Sequence, residues 1–240
     1  MKKITLVRHG ETFQNHNHTV QGSDPTQGRL TAKGLRQAEL LGRRLAERRF
    51  EVVYCSPLER AVLTMSKILM ARNGERTLPI VFHEALKEAN LGVLHGRPHA
   101  EWRAAITGDP MAYAPQGGES WLDVQRRATA CLREVILPDP HSEILIVAHG
   151  GVNRGIIASL TGMSMGESWQ GAGVGAPQDN TCMNTLEVES NGSLHAAVVN
   201  DTAHLMEEFP HTSPGQRWLG GARRWELLGE PSRAAQLPEA

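Results

Sequence analysis

The chain has 240 residues, of which 40% are hydrophobic and 21% charged, a composition that suits one globular domain and excludes wholesale disorder. A formal net charge of -1 leaves no global basic field for nucleic acid or an acidic membrane, so any anion site has to be local. Three cysteines (Cys55, Cys131 and Cys182) are odd in number and far apart, which fits reduced thiols of a cytoplasmic protein and neither a disulfide framework nor a zinc site.

Met1-Lys2-Lys3 precedes an apolar run of only Ile4 to Val7, and Arg8 and His9 interrupt it. Neither a signal peptide nor a membrane span fits that pattern. The run itself, with β-branched residues and Gly10 at its end, predicts a buried strand. Leu35, Ala38, Leu41 and Leu45 recur at helical spacing between Thr31, a natural N-cap, and about Arg49. Glu51 to Cys55 reads as a second buried strand. Ser56-Pro57-Leu58-Glu59 then gives the signature of a helix start, with serine as cap, proline at the first helical position and glutamate closing a capping box. That helix is expected to run to about Arg72 and stop near Asn73-Gly74.

Pro79 to Phe82 reads as a short third strand. Residues 89–118 have irregular patterning with Gly, Pro and aromatics, the mark of an excursion that covers one end of a sheet. Ser120 caps an amphipathic helix marked by Trp121, Val124, Ala128, Cys131 and Val135. Glu143 to Ala148 is the clearest strand, followed by a helix over Val152 to Leu160 that ends at Gly162. Met183 to Val188 and Leu194 to Val199 form a closing pair of strands about an Asn191-Gly192 turn. Strands alternating with helices imply an α/β sandwich of three layers, helices on both faces of a mainly parallel sheet. Residues 1–205 read as one domain. Residues 206–240 form an extension whose Trp218, Trp225, Leu227 and Leu228 suit a docking segment, while Gly220-Gly221 opposes one long helix.

A local echo carries the functional reading. Leu6-Val7-Arg8-His9-Gly10 and Ile146-Val147-Ala148-His149-Gly150 each place a histidine and a glycine after a buried strand and before a helical stretch. Ligands of open α/β sheets bind beyond the carboxyl ends of strands, so two such rings can face one small volume if their strands are neighbours. A neutral imidazole is a competent nucleophile towards phosphorus. Arg8, and Arg60 from the first turn of the helix after Ser56, are suited to phosphate oxygens, and helix N-termini add to such a cage. A lone histidine after a strand is more often structural. Two in matched contexts, one adjoining an arginine, favour chemistry.

Arg8-His9-Gly10-Glu11-Thr12 with Asn15 resembles the signature of the histidine phosphatase superfamily, also called the phosphoglycerate mutase-like family. Further blocks agree in order: Gln21-Gly22, Leu30-Thr31-Ala32-Lys33-Gly34, Cys55-Ser56-Pro57-Leu58-Glu59-Arg60-Ala61 with Thr64, Leu86-Lys87-Glu88, Gly117-Gly118-Glu119-Ser120 and Ala148-His149-Gly150-Gly151-Val152. The resemblance spans about residues 1–199. It implies a phosphoglycerate mutase-like fold and a phosphohistidine intermediate on His9. Arg8, Arg60 and His149 would bind the transferring oxygens, with Asn15 as a further phosphate contact and Gln21 and Gly22 near the substrate. Glu88 would protonate the leaving oxygen and then take a proton from water. His95, Cys55 and Asn90 stand where members often carry an acidic residue, a serine and an aspartate, and the last leaves the acid role with Glu88.

His16-Asn17-His18 offers a metal pair only in extended chain, and no Cys/His cluster completes it, so a polar loop at the substrate entrance is the better reading. No nucleotide fingerprint is present. Trp102 could shape a substrate pocket, whereas Trp121, at helical spacing, reads as core. Cofactor-dependent mutases of the family carry Arg-His-Tyr-Gly after the catalytic glutamate. Ala89-Asn90-Leu91-Gly92 stands there instead, which favours a phosphatase. The expectation is a cytoplasmic, metal-independent phosphoric monoester hydrolase of the histidine acid type, without a cofactor, acting on a small phosphorylated metabolite. A mutase-type phosphotransferase, a phosphoprotein phosphatase and a phospho-ligand binding protein are the alternatives. Homo-oligomerisation is left open.

Overall fold

A computed structural model of the chain describes residues 2–26, 28–72, 77–170, 175–189 and 192–209, and the backbone of Gln216–Trp218 and Trp225–Leu227. The first half alternates strand and helix: β1 (Lys3–Arg8), α1 (Phe13–His16), α2 (Ala32–Leu45), β2 (Val52–Cys55), α3 (Glu59–Met70) and β3 (Ile80–Phe82). Then come α4 (His99–Ala105), α5 (Trp121–Cys131), β4 (Glu143–Ala148), α6 (Gly150–Thr161), α7 (Met165–Ser168), β5 (Met183–Val188) and β6 (Leu194–Asp201). Two short strands, β7 (Gln216–Trp218) and β8 (Trp225–Leu227), extend the same sheet, in the order β3-β2-β4-β1-β5-β6-β7-β8.

The strand sequences explain the layers, because side chains alternate between the faces of a sheet. Ile4, Leu6, Val52, Tyr54, Ile144 and Ile146 point to one face and join Trp121, Val124 and Ala128 of α5 and Val152 and Ile156 of α6. Val7, Val53, Cys55, Leu145 and Val147 point to the other and join Leu41 and Leu45 of α2 and Ala61, Met65 and Ile68 of α3. Each fully buried aliphatic side chain in these layers contributes on the order of 1.5–3 kcal/mol. Three α/β/α layers are present as expected. The sheet is mixed: β3, β2, β4 and β1 pair in parallel, whereas β1·β5, β5·β6, β6·β7 and β7·β8 are antiparallel. The parallel half is the one that needs helical crossovers, and it carries the strand ends of interest.

Several local details differ from the sequence reading, each for a visible reason. Ser56 does not cap α3, which starts at Glu59 after Leu58. The Ser56 hydroxyl lies 2.7 Å from His149 Nε2 and also accepts from Leu58 N–H, the residue before the helix, at 3.3 Å. Helix α2 stops at Leu45, short of Arg49. Val135 is 39% exposed, although helical spacing had placed it inside. A π-helical turn over Leu132–Ile136 follows α5, and Leu137 N–H bonds Leu132 O at 2.9 Å. That i→i+5 step shifts the register, so Leu132 and Ile136 take the core positions. Helix α6 begins at Gly150, two residues earlier than expected, and ends at Gly162 with φ +69. Asn73-Gly74, Asn191, Gly220-Gly221 and Leu228 lie outside the described residues. No helix among the described residues is long and apolar enough to cross a membrane.

Candidate active site

Parallel pairing sets the site. β1 and β4 are neighbours in the register Val7↔Val147 and Arg8↔Ala148, and His9 N–H continues the ladder to Ala148 O at 3.1 Å. β2 flanks β4, with Ser56 N–H on Val147 O at 2.9 Å. His9, Ser56 and His149 therefore leave adjacent strands at one level. The two imidazoles have ring centroids 5.1 Å apart with planes tilted by 56°. Both are buried.

Hydrogen bonds assign the tautomers. His9 Nδ1 lies 2.7 Å from Gly10 O, so it carries the proton and donates, leaving Nε2 with a free lone pair. His149 Nδ1 accepts from Arg60 Nε at 3.2 Å, so its proton is on Nε2 and goes to Ser56 Oγ. Burial first, then Arg60 and Arg8, hold His9 well below the ordinary imidazole value. Burial, Arg60, His9 and Arg8 do the same to His149.

That depression has a measurable cost. The unfolded rings, near their ordinary pKa of about 6.5, take protons before the folded ones do, so this contribution to stability is complete above about pH 6.5 and is lost as pH falls below it. Each ring can remove up to about 1.4 kcal/mol per pH unit. We expect urea midpoints of the ligand-free protein to fall from pH 7 to pH 5, and His9→Asn to flatten the dependence. A midpoint unchanged over that range would contradict the neutral pair.

Around the rings lies a cage of cationic donors. Arg60 is 1% exposed; its Nη2 bonds Gly22 O at 2.9 Å, and its Nη1 has no acceptor. Arg8 donates through Nη1 to Gln178 O, and its Nε is likewise buried without an acceptor. Orphaned buried N–H groups are costly and rare, and here both belong to arginines that line a cavity of about 450 Å³. Asn15 lines that cavity, held by Thr12 N–H at 3.2 Å and Asn180 Nδ2 at 3.1 Å, both on its Oδ1. Gln21 also lines it, accepting from Thr12 Oγ1 at 2.9 Å. Gly22 reaches the site through its carbonyl alone. Gly28, at φ +110, lies so close to Arg60 that a Cβ there would come within 2.8 Å of Nη1.

Glu88 closes the opposite side, 8% exposed. Its Oε2 accepts from Gly151 N–H at 3.0 Å, in the first turn of α6, and its Oε1 from Ala89 N–H at 3.2 Å. A Cβ on Gly151 would overlap the Trp121 ring and come within 2.5 Å of Glu88 Oε1, so glycine lets the helix start approach the carboxylate. Arg127 braces this segment, donating to Ala85 O, Glu88 O and both oxygens of Glu119, and Glu119 Oε1 also accepts from Asn90 N–H at 2.8 Å. The Asn90 side chain bonds Gly117 O and Gly92 N–H, and His95 Nε2 lies 3.1 Å from its Oδ1, so these two residues hold a turn.

The sequence reading missed part of the site. Arg154 lines the cavity with a buried, unpaired Nε, yet it lies inside α6, where an arginine usually reads as a solvated face. Its signal is positional: one helical turn after Gly150, on the helix that starts at the second histidine. The loop before β5 was also missed. Thr181 N–H and Asn180 Nδ2 both bond His9 O, at 3.2 and 3.1 Å, and Gln178 O takes Arg8. Asn, Gln and Thr before a strand carry no distinctive pattern. The excursion does cover the site, through Leu91, His99, Trp102, Ile106, Pro110 and Met111. Trp121 both joins the core and lines the cavity. His16 and His18 are exposed, and among the described residues no group of three or more His, Cys, Asp or Glu is placed to hold a metal ion.

Comparison with known proteins points to one family. The sequence pattern described as histidine phosphatase superfamily (branch 1) matches residues 4–202. Phosphoserine phosphatase 1 of Hydrogenobacter thermophilus is 29% identical over 217 residues, which cover 87% of this chain and 97% of that protein. The 2,3-bisphosphoglycerate-dependent phosphoglycerate mutase of Cytophaga hutchinsonii is 32% identical over 178 residues, 68% of this chain and 79% of that one. Among solved structures, Bacillus stearothermophilus YhfR superposes with a TM-score of 0.73 at 30% identity, over 85% of this chain and all of that one. Relatives are thus named both as phosphatases and as mutases.

Proposed function

The chain belongs to the histidine phosphatase superfamily, and on that premise we propose that it is a phosphomonoesterase that hydrolyses a small phosphorylated metabolite through a phosphohistidine on His9. The observation that carries the reading is the free Nε2 lone pair of a buried neutral imidazole, beside unpaired guanidinium N–H groups of Arg8 and Arg60. A phosphoryl group in that position supplies the missing acceptors.

In the first step Nε2 forms a bond to phosphorus and the ester P–O bond breaks, with the electron pair leaving on the alcohol oxygen. Glu88 gives that oxygen a proton. Arg8, Arg60 and Asn15 hold the equatorial oxygens, and His149 turns its Nε2–H from Ser56 to one of them. In the second step water attacks phosphorus, Glu88 takes the water's proton, and the P–N bond breaks to release phosphate and restore His9. Fixed guanidinium groups supply the charge neutralisation that a divalent ion provides elsewhere, so the scheme calls for no metal and no cofactor.

A mutase has to grip a second phosphate as firmly as the first. The segment after Glu88, with Ala89 and Leu91 buried, brings no cation to that task, and this favours release of phosphate to water. Incubation with p-nitrophenyl phosphate and a panel of phosphorylated metabolites in EDTA tests the reading. Expected is metal-free release of inorganic phosphate from at least one ester. Strict dependence on added divalent metal, or tight phosphopeptide binding with no turnover of any ester, would overturn it.

A further inference from the structure

The cavity is larger than the phosphoryl group it is proposed to receive. At about 30 Å³ per water, about 450 Å³ is room for about fifteen waters, of which a phosphate displaces only a few. The remainder has a definite chemistry. Trp102 from α4, Trp121 from α5 and Trp169 after α7 line it together with Ile106, Pro110 and Met111. Among the described lining residues Glu88 is the only carboxylate, whereas Arg103 adds a cation from α4.

Arg154 is placed in this outer part. Its guanidinium carbon sits 4.3 Å from the centroid of the Trp169 ring, and Trp169 packs on Trp121 at 4.9 Å between centroids. Trp121 and Glu88 meet at Gly151, as described above. On the other side, a Cβ on Gly150 would lie 3.2 Å from Arg154 Nη1 and 3.4 Å from Arg8 Nε. Arg154 is thus flanked by Arg8 and by the aromatic wall that leads to Glu88, the group assigned to the leaving oxygen. Arg154 therefore stands between Arg8 and the tryptophans, on the side of the cavity that Glu88 closes. Burial and Arg8 push its pKa down to about 10, which still leaves it cationic at neutral pH.

Two guanidinium groups in one pocket repel unless an anion lies near them, and the phosphoryl group already answers Arg8. The buried Nε of Arg154 still lacks an acceptor. We propose that the pocket selects phosphate monoesters whose alcohol combines an apolar, preferably aromatic, body with a second anionic group, and that Arg154 binds that group. This rests on the phosphatase reading above and adds the class of leaving group. The tryptophans and Met111 desolvate the body, and the cation–π contact to Trp169 holds the guanidinium plane in place for the anion. Arg154 is a specificity-determining residue in this scheme.

Matched probes test it. The 3- and 4-carboxyphenyl phosphates and their carbamoylphenyl counterparts match in size and shape, carry the substituent out of reach of the leaving oxygen, and differ chiefly in its charge. For at least one isomer the carboxylate is expected to have a kcat/KM about tenfold or more above its amide, the range of a charge-assisted hydrogen bond in a dry site. Arg154→Gln should bring that ratio to about one, and Arg154→Lys should keep part of it. Phenyl phosphate should show a lower KM than glycerol 2-phosphate, by a margin that Trp102→Ala narrows. The corresponding carboxybenzyl- and carbamoylbenzylphosphonates, which cannot be hydrolysed, report the same preference as binding in calorimetry. Carboxylate-selective binding that depends on Arg154, without turnover of any ester, would sink the phosphatase reading and keep the pocket assignment. Equal affinity for carboxylate and amide at both positions would overturn the assignment. So would an Arg154→Gln variant that weakens both members of each pair alike, since Arg154 would then be a ligand of the phosphoryl group itself.

Discussion

His9→Ala is expected to lower turnover by about 10⁴-fold or more and to abolish the covalent phosphoenzyme, because no other group in the cage has both the lone pair and the position to attack. Candidates for substitution are few. His149 has both nitrogens engaged, with Ser56 and Arg60, and Glu88 is tied to Gly151 and Ala89 on the far side. The alanine variant keeps Arg8, Arg60 and Asn15, so it should still bind inorganic phosphate in calorimetry; that measurement separates loss of the nucleophile from loss of the site. Labelling with a ³²P ester and quenching in base provides the direct check, since a phosphohistidine survives base and is lost in acid. Base-stable label on the His9→Ala chain would end the assignment.

The strands are legible where they are short apolar runs with clear ends, and β4 of the parallel half and β5 of the antiparallel half match the sequence reading residue for residue. What periodicity could not supply was pairing. That β1 and β4 are neighbours follows from the crossovers, and the meeting of His9 and His149 depends on it. Ser56 shows the opposite limit. Its context is a complete helix-start signature, yet the hydroxyl serves His149 and α3 starts at Glu59, three residues on. Local capping and a buried hydrogen bond are each worth about 1 kcal/mol, so the local signature alone does not decide where the helix starts. The π turn after α5 is invisible to a fixed 3.6-residue period, which is why Val135 and not Ile136 was placed in the core. The site divides along the same line. Arg8, His9, Arg60, Glu88 and His149 sit where chain order and motif point, whereas Arg154, Asn180 and Thr181 come in through tertiary contact from segments whose own sequences look ordinary.

Glu88→Gln is expected to split the two half-reactions, and this makes it more informative than a simple loss of rate. Glutamine keeps the shape of the side chain and an oxygen for the Gly151 N–H, but it cannot carry the proton. General acid help contributes about 10²- to 10⁴-fold where the leaving oxygen is a poor one. Phosphorylation of His9 by glycerol 2-phosphate should therefore slow by about that factor, while p-nitrophenyl phosphate, whose leaving oxygen needs little protonation, should phosphorylate His9 at a rate within about tenfold of the native protein. Dephosphorylation is different, because the attacking water must lose a proton whichever ester was used. The variant should then release a burst of p-nitrophenolate stoichiometric with protein, followed by slow turnover, and the phosphoenzyme should accumulate. Rapid-mixing measurements of both esters distinguish the outcomes. Equal slowing of the two phosphorylation rates with no burst would mean that Glu88 orients the substrate and moves no proton. A slowed first step with glycerol 2-phosphate together with the burst from p-nitrophenyl phosphate ties the acid to the base, since a single carboxylate beside the first turn of α6 would be serving both steps from one position.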